Sequence, residues 1–188
     1  MTRSKLFPAA AALLLSAGLL RATPFEVDPT HSSVGFKVRH LMISNVKGKF
    51  DTFSGSYDLE DGRLSALTGT IETGSVDTGI EKRDAHLKSA DFFDAEKYPK
   101  ITFRMTKFDG GKVIGDLTMH GVTRTVTLKA ETSDTIKDPW GLTRSSVSLG
   151  GELNRSDFGL VYNQVLEAGG VAIGDEIRLT VELEGIAE

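Results

Sequence analysis

Residues 101–130, ITFRMTKFDGGKVIGDLTMHGVTRTVTLKA, alternate apolar and polar side chains through three successive runs, a period that strands present as one face and helices do not. Ile101, Phe103 and Met105 alternate with Thr102, Arg104 and Thr106. Asp109-Gly110-Gly111 supplies turn residues able to take positive φ, and Val113, Gly115, Leu117 and Met119 then resume the period of two. His120-Gly121 turns the chain again, and Val122, Val126 and Leu128 oppose Thr123, Thr125, Thr127 and Lys129. This is a β-meander with one apolar face, which needs a second sheet or its own continuation curled round to cover it.

The flanking sequence continues the pattern. Asp28-Pro29-Thr30 turns the chain into a strand over 31–40, in which Val34, Phe36, Val38 and His40 share a face. The next run, 46–59, carries Phe50 and Phe53 three apart, whereas Phe53, Gly55, Tyr57 and Leu59 are in step, so a bulge is expected near Asp51-Thr52. Asp61-Gly62 reads as a hairpin turn into Leu67, Gly69, Ile71 and Thr73. Residues 79–99 break the period; Ile80, Asp84, Leu87 and Lys88 suit a short helix, followed by Phe92, Phe93 and Tyr98 in a lid-like insertion. After the meander comes a polar loop with Asp138-Pro139-Trp140-Gly141 at its turn, then a strand through Val147, Leu149, Gly151 and Leu153. Gly150-Gly151 is expected where a Cβ would crowd. A second irregular stretch, 154–171, precedes a last strand with Ile173, Ile177, Leu179, Val181 and Leu183 on one face.

About eight long strands, each with one apolar face, predict an all-β protein: an extended eight-stranded antiparallel up-and-down barrel, lipocalin-like, with short helical insertions. A β-sandwich is the alternative. Eight strands enclose a space that side chains just fill or that holds one ligand, and the inward set makes any such ligand apolar.

Arg3 and Lys5 precede an Ala/Leu-rich run from Leu6 to Leu20, with the small Ala22 soon after, the pattern of a secretory signal peptide over residues 1–22. The run is too short for the ~20 apolar residues of a membrane span. Residues 23–188 then form one domain, exported to the periplasm. Losing residues 1–22 leaves 19 Lys+Arg against 26 Asp+Glu, a formal charge of −7, which disfavours nucleic acid as a partner. Cys is absent, so neither disulfides nor thiol chemistry contribute.

Enzymatic signatures are missing. No GxSxG elbow accompanies Ser32, Ser33 and the histidines, and no GxGxxG or GxxxxGK[ST] phosphate loop occurs. His31, His40, His86 and His120 show no HxH or HxxxH pairing, so neither a metal nor a cofactor is expected.

Six ordered stretches, FEVDPTHSSVGFKVRH, KGKFDTFSG, KRDAHLKSADFFDAEKYPKITF, GDLTMHGVTRTVTL, NRSDFGL and IGDEIRLTVELEG, resemble the motifs of the YceI-like proteins, which are polyisoprenoid-binding and periplasmic. The resemblance runs from about Phe25 to Gly185. It implies a barrel whose pore holds the tail of an isoprenoid quinone, polyprenyl phosphate or similar amphiphile as ligand, and a carrier rather than an enzyme. An enzyme acting on such lipids and a filled structural barrel are the alternatives. Lining is then expected from Val34, Phe36 and Val38; Phe53, Tyr57 and Ile71; Ile101, Phe103 and Met105; Val113, Leu117, Met119 and Val126; and Leu149, Ile177, Leu179 and Val181. A rim meeting the head group is expected from His40, Arg83, His86, Phe92, Trp140, Asp157 and Phe158. The oligomeric state stays open, a dimer included.

Overall fold

A computed structural model describes residues 22–167 and 169–187; the expected signal peptide, apart from Ala22, lies outside the described residues. The strands are β1 (Thr23–Val27), β2 (Ser33–His40), β3 (Ser44–Phe50), β4 (Phe53–Glu60), β5 (Arg63–Glu72), β6 (Val76–Asp77), β7 (Lys100–Asp109), β8 (Lys112–Met119), β9 (Val122–Thr132), β10 (Ile136–Lys137), β11 (Thr143–Asn154) and β12 (Ile173–Ala187). One helix, α1 (Glu81–Lys88), and two 3-10 turns, Thr73–Ser75 and Arg155–Phe158, interrupt them.

Eight staves form a closed antiparallel barrel. β1 and β2 lie end to end along one edge of β12, β1 against residues 185–187 and β2 against 173–182. Facing them, β3 and β4 also lie end to end. β4, β5, β7, β8, β9 and β11 follow in chain order, and β11 pairs with the other edge of β12 from Arg144↔Ile186 to Asn154↔Glu176. Every long strand among the described residues thus has two neighbours, although β9 meets β11 only over 129–132 and 122–128 keep no ladder partner on that side.

The turns follow from residues that accept left-handed backbone. Asp61-Gly62 and His120-Gly121 have φ of 49°/74° and 52°/74°, and Gly110-Gly111 have 55° and 77°. Their twist matches that of the strands they join. The bulge expected at Asp51-Thr52 is instead a full break. Asp51 N–H donates to the Ser75 carbonyl and Thr52 N–H to Ser75 Oγ, while β3 leaves the β4 line to pair with β6. Phe50 and Phe53 therefore both face inward, which explains their spacing of three. A register slip at Met105/Lys107 does the same for Phe108, which joins the core out of step with Ile101 and Phe103. Of the paired glycines, only Gly151 is crowded: a Cβ there would lie 2.6 Å from Leu128 Cδ2, while one at Gly150 meets nothing closer than 4.0 Å.

Two apolar clusters fill the barrel. At the end where the chain enters, Phe25 stacks on Tyr57 with ring centroids 5.3 Å apart, and Leu59, Leu64, Val113, Val147 and Leu183 pack round them. The Tyr57 hydroxyl donates to the Ser145 carbonyl at 2.8 Å, satisfying the polar end of a ring that is otherwise enclosed. This end is a solid plug. The second cluster, around Phe50, Phe92, Ile101, Leu117, Phe158 and Leu160, sits at the opposite end under the segment containing α1.

Candidate functional site

A cavity of about 200 Å³ lies between the plug and the α1 segment. Its wall comes from every stave: Val34, Phe36 and Val38 of β2, Phe53 of β4, Ile71 of β5, Ile101 and Phe103 of β7, Leu117 and Met119 of β8, Val126 of β9, Leu149 of β11, and Ile177, Leu179 and Val181 of β12. These are inward positions set by the alternation of each strand. Gly48 lets the Phe36 ring lie flat across β3, since a Cβ there would fall 2.3 Å from Phe36 Cζ.

The roof is aromatic. Leu87, Phe92 and Phe93 of the α1 segment reach the cavity together with Leu160. Phe93 meets Phe50 edge to face at 5.7 Å. His86, Phe92 and Tyr162 form a three-ring contact, each pair of centroids 5.0 Å apart, that joins this segment to the loop after β11. The segment is otherwise pinned from outside the cavity. Asp84 accepts from Thr78 N–H at 2.9 Å and from the Thr78 hydroxyl, and Arg83 Nε donates to Thr78 Oγ1 at 2.7 Å.

One charged side chain enters the lining among the described residues, that of Arg155. It is buried, donating to the carbonyls of Gly174 at 3.0 Å and Tyr162 at 2.9 Å, with the nearest carboxylate oxygen, on Asp175, 4.0 Å away. Burial pulls its pKa down, opposed by the charge of Asp175. A cation solvated mainly by carbonyl dipoles keeps its positive field inside the wall.

Several expected positions differ. Tyr57, Met105 and Val113 do not line the cavity; they share the inward parity but lie at the depth of the plug, with Val113 and Tyr57 fully enclosed there. Trp140 is 82% exposed in the turn before β11, and Phe158 follows the end of the same strand, so the two are at opposite ends of the barrel. Arg83 is committed to Thr78. Asp157 is exposed on the 3-10 turn, Phe158 is packed in the core beneath it, and His40 ends β2 without reaching the cavity. His86 touches the roof through Phe92 while its Nε2 faces Asp91 at 2.8 Å.

The described residues bring one group with metal-ligand spacing together, Asp28, His31 and Glu184, within 4.8 Å at the plug end. Arg144 already answers that charge, donating from Nη1 to Asp28 at 3.0 Å and Glu184 at 2.6 Å, and from Nε to Asp138 at 2.8 Å. The hydrogen bonds from His31 and Arg144 hold the Asp28 carboxyl well below the usual carboxylate range. The cluster is a clasp tying the turn before β2 to the start of β11 and the end of β12.

The YceI-like domain model matches residues 25–185. The chain belongs to the YceI-like family. A UPF0312 protein of Staphylococcus aureus is 39% identical over 165 residues, covering 86% of this chain and 96% of that one. The crystal structure of a Campylobacter jejuni YceI protein is 37% identical, covers 86% of this chain and 96% of its own, and superposes with a TM-score of 0.69. A polyisoprenoid binding domain from Saccharophagus degradans shares the fold at 18% identity, with a TM-score of 0.63 over 89% of this chain and all of the other.

The YceI-like motifs map onto the site in a physical way. NRSDFGL is the 3-10 turn that buries Arg155 and Phe158 and delivers Leu160 to the roof, closed by Gly159 at φ 80°. Phe50, Leu87, Phe93, Arg155 and Leu160 are lining residues that were not expected there, and Leu153 and Ile173 join them on the faces that alternation gave their strands. The Phe92-Phe93 doublet was the available signal for Phe93. For Arg155 it was an arginine two residues before an Asp-Phe-Gly turn. No helix among the described residues is long and apolar enough to cross a membrane.

Proposed function

We propose that this YceI-like chain, exported by its N-terminal segment, holds the tail of a long-chain isoprenoid amphiphile, an isoprenoid quinone or polyprenyl phosphate, and carries it across the periplasm. The observation that supports this most is the closed barrel around a cavity whose lining is apolar on every stave, roofed by a segment attached through rings. Each tail CH₂ taken from water contributes about 0.8 kcal/mol, so a long chain binds with few polar contacts and the action is partition rather than catalysis. The buried Arg155 cation near the roof favours a head group bearing phosphate or carbonyl oxygen over a plain hydrocarbon.

A cavity of about 200 Å³ is smaller than the roughly 300–1,000 Å³ of ordinary ligand pockets. It holds only the first part of a tail, and a whole chain enters as the roof lifts and Phe36, Phe53 and Phe103 change rotamer. The same volume favours a second reading, a structural barrel with a nearly filled core. Mass spectrometry of solvent extracts from protein made in its own cell, followed by titration with ubiquinone and undecaprenyl phosphate, separates the two. Co-purified isoprenoid or saturable binding is the expected result. Absence of both supports the filled barrel.

A further inference from the structure

The β2–β3 hairpin is built unlike the other turns. Ile43 N–H donates to the His40 carbonyl at 3.1 Å, and the two residues between, Leu41 and Met42, have φ of 49° and 61°. That left-handed pair is ordinarily Asn-Gly, because a Cβ is disfavoured there. Here two large apolar residues occupy it, and with Ile43, 78% exposed, they project into solvent. The neighbouring loop adds to the same patch: Leu41 N–H donates to Ala172, Gly170 packs by Met42, and Val165, 85% exposed, bridges to Val171. Strain and exposure together point away from folding as the reason for these side chains.

The stem behind the tip is basic. From Ser33 to Phe50 there is no Asp or Glu, whereas Lys37, Arg39, Lys47 and Lys49 are present in a chain of net charge −4. Lys37 and Lys47 stand directly opposite each other across the ladder, an unfavourable like-charge pair, and neither has a carboxylate partner among the described residues. They open onto a hollow of about 800 Å³ on the outer face, walled also by Lys112, Lys129 and Arg178 with Glu152 as its acidic member. The tip stands beside the cavity wall, since His40 pairs with Ile173, which lines the cavity.

We propose that the β2–β3 hairpin docks on an anionic lipid bilayer, its apolar tip entering the interface and setting the cavity mouth against the lipid phase, a step whose purpose rests on the carrier reading above. Distances agree with this. An interfacial element sinks about 5–10 Å, and Lys37 lies four residues, roughly 13 Å, behind Leu41. Lys37 and Lys47 then stand within about one Debye length, ~8 Å, of the head groups.

The test is flotation with vesicles of pure phosphatidylcholine and of equal parts phosphatidylcholine and phosphatidylglycerol, comparing wild type and variants in the same processed form. Leu41→Asn/Met42→Gly gives the turn its favoured residues, so it keeps or raises the melting temperature while abolishing flotation. Lys37→Gln/Lys47→Gln lowers partition onto the anionic vesicles about thirtyfold and leaves binding to phosphatidylcholine unchanged. Wild type that does not float overturns docking, as does a tip variant that floats as well as wild type. A blue shift of Trp140 on binding also overturns it, because Trp140 marks the opposite end of the barrel. Lipid recovered from protein that does not float leaves the carrier reading intact, and flotation without recovered lipid refutes only the carrier reading.

Discussion

Phe93 touches Phe50 edge to face at 5.7 Å, and through this pair the α1 segment rests on the barrel wall at the point where β3 leaves the sheet. The roof is held over the cavity by rings, a weaker attachment than the hydrogen-bonded ladders beneath it. Its motion is therefore separable from the unfolding of the barrel.

Phe93→Ala should cost about 2 kcal/mol, less than a fully buried Phe because the ring is only partly buried. Amide exchange should accelerate in residues 81–98 well before it does in β11 and β12. Uniform loss of protection through the whole barrel would contradict a separately moving roof.

Leu117→Arg places a guanidinium on the cavity wall, where an unpaired charge costs several kcal/mol unless it reaches water. In a barrel that opens to take a tail, the side chain snorkels toward the mouth, so the protein stays folded with a lower melting temperature and binding is lost. Thr118→Arg, on the outer face, should change neither. Circular dichroism and a lipid titration read the outcome. An unfolded Leu117→Arg would favour the filled barrel.

Gly115→Ala and Gly150→Ala should behave oppositely. A Cβ at Gly115 would lie 2.6 Å from the Arg104 carbonyl oxygen, which the ladder holds in place, and 2.4 Å from Phe103 Cζ. Overpacking of this kind costs about 1–3 kcal/mol. At Gly150 the space is open, and the lost backbone freedom of the unfolded chain makes alanine neutral or stabilising. Equal melting temperatures for the two variants would refute the close approach.

The clasp at the plug end gives a pH dependence with a defined sign. The folded-state pKa of Asp28 is lowered, by His31 and then by Arg144, so its contribution is present above the ordinary carboxylate range and disappears as pH falls through that range and below it. Asp28→Asn should therefore melt a few degrees below wild type at pH 7, with the gap narrowing as pH falls below about 4 and closing only well below pH 3. A gap that stays constant would show that the carboxylate's charge is not what the clasp uses.

Much of the fold can be read from alternation and turn chemistry. Ile101, Phe103, Leu117 and Met119 face inward because a period of two leaves no other choice, and His120-Gly121 and Gly110-Gly111 mark the hairpins. Depth is a different matter. Tyr57 and Val113 share parity with Phe53 and Leu117, yet they belong to the plug, because alternation reports the face of a strand and says nothing of the distance along the barrel axis. Phe108 was hidden by a register slip with no glycine to signal it. Arg155 was hidden by its charge, which marks surface unless neighbouring carbonyls are arranged to receive it. Trp140 and Arg83, both expected at the rim, lie at opposite ends of the barrel, and Arg83 is tethered to Thr78.

The pairing of β1 with β12, Phe25 opposite Ala187, joins residues at nearly the two extremes of the described chain. A ring of staves has no partial version in which all edges are satisfied. Until β12 is in place, β11 on one side and the line of β1 and β2 on the other each keep one edge without a partner, so closure waits for residues 173–187. Such non-local pairing makes folding slow and exposes strand edges meanwhile. The barrel thus implies a late, single-step closure, during which the nascent chain depends on being kept from its neighbours.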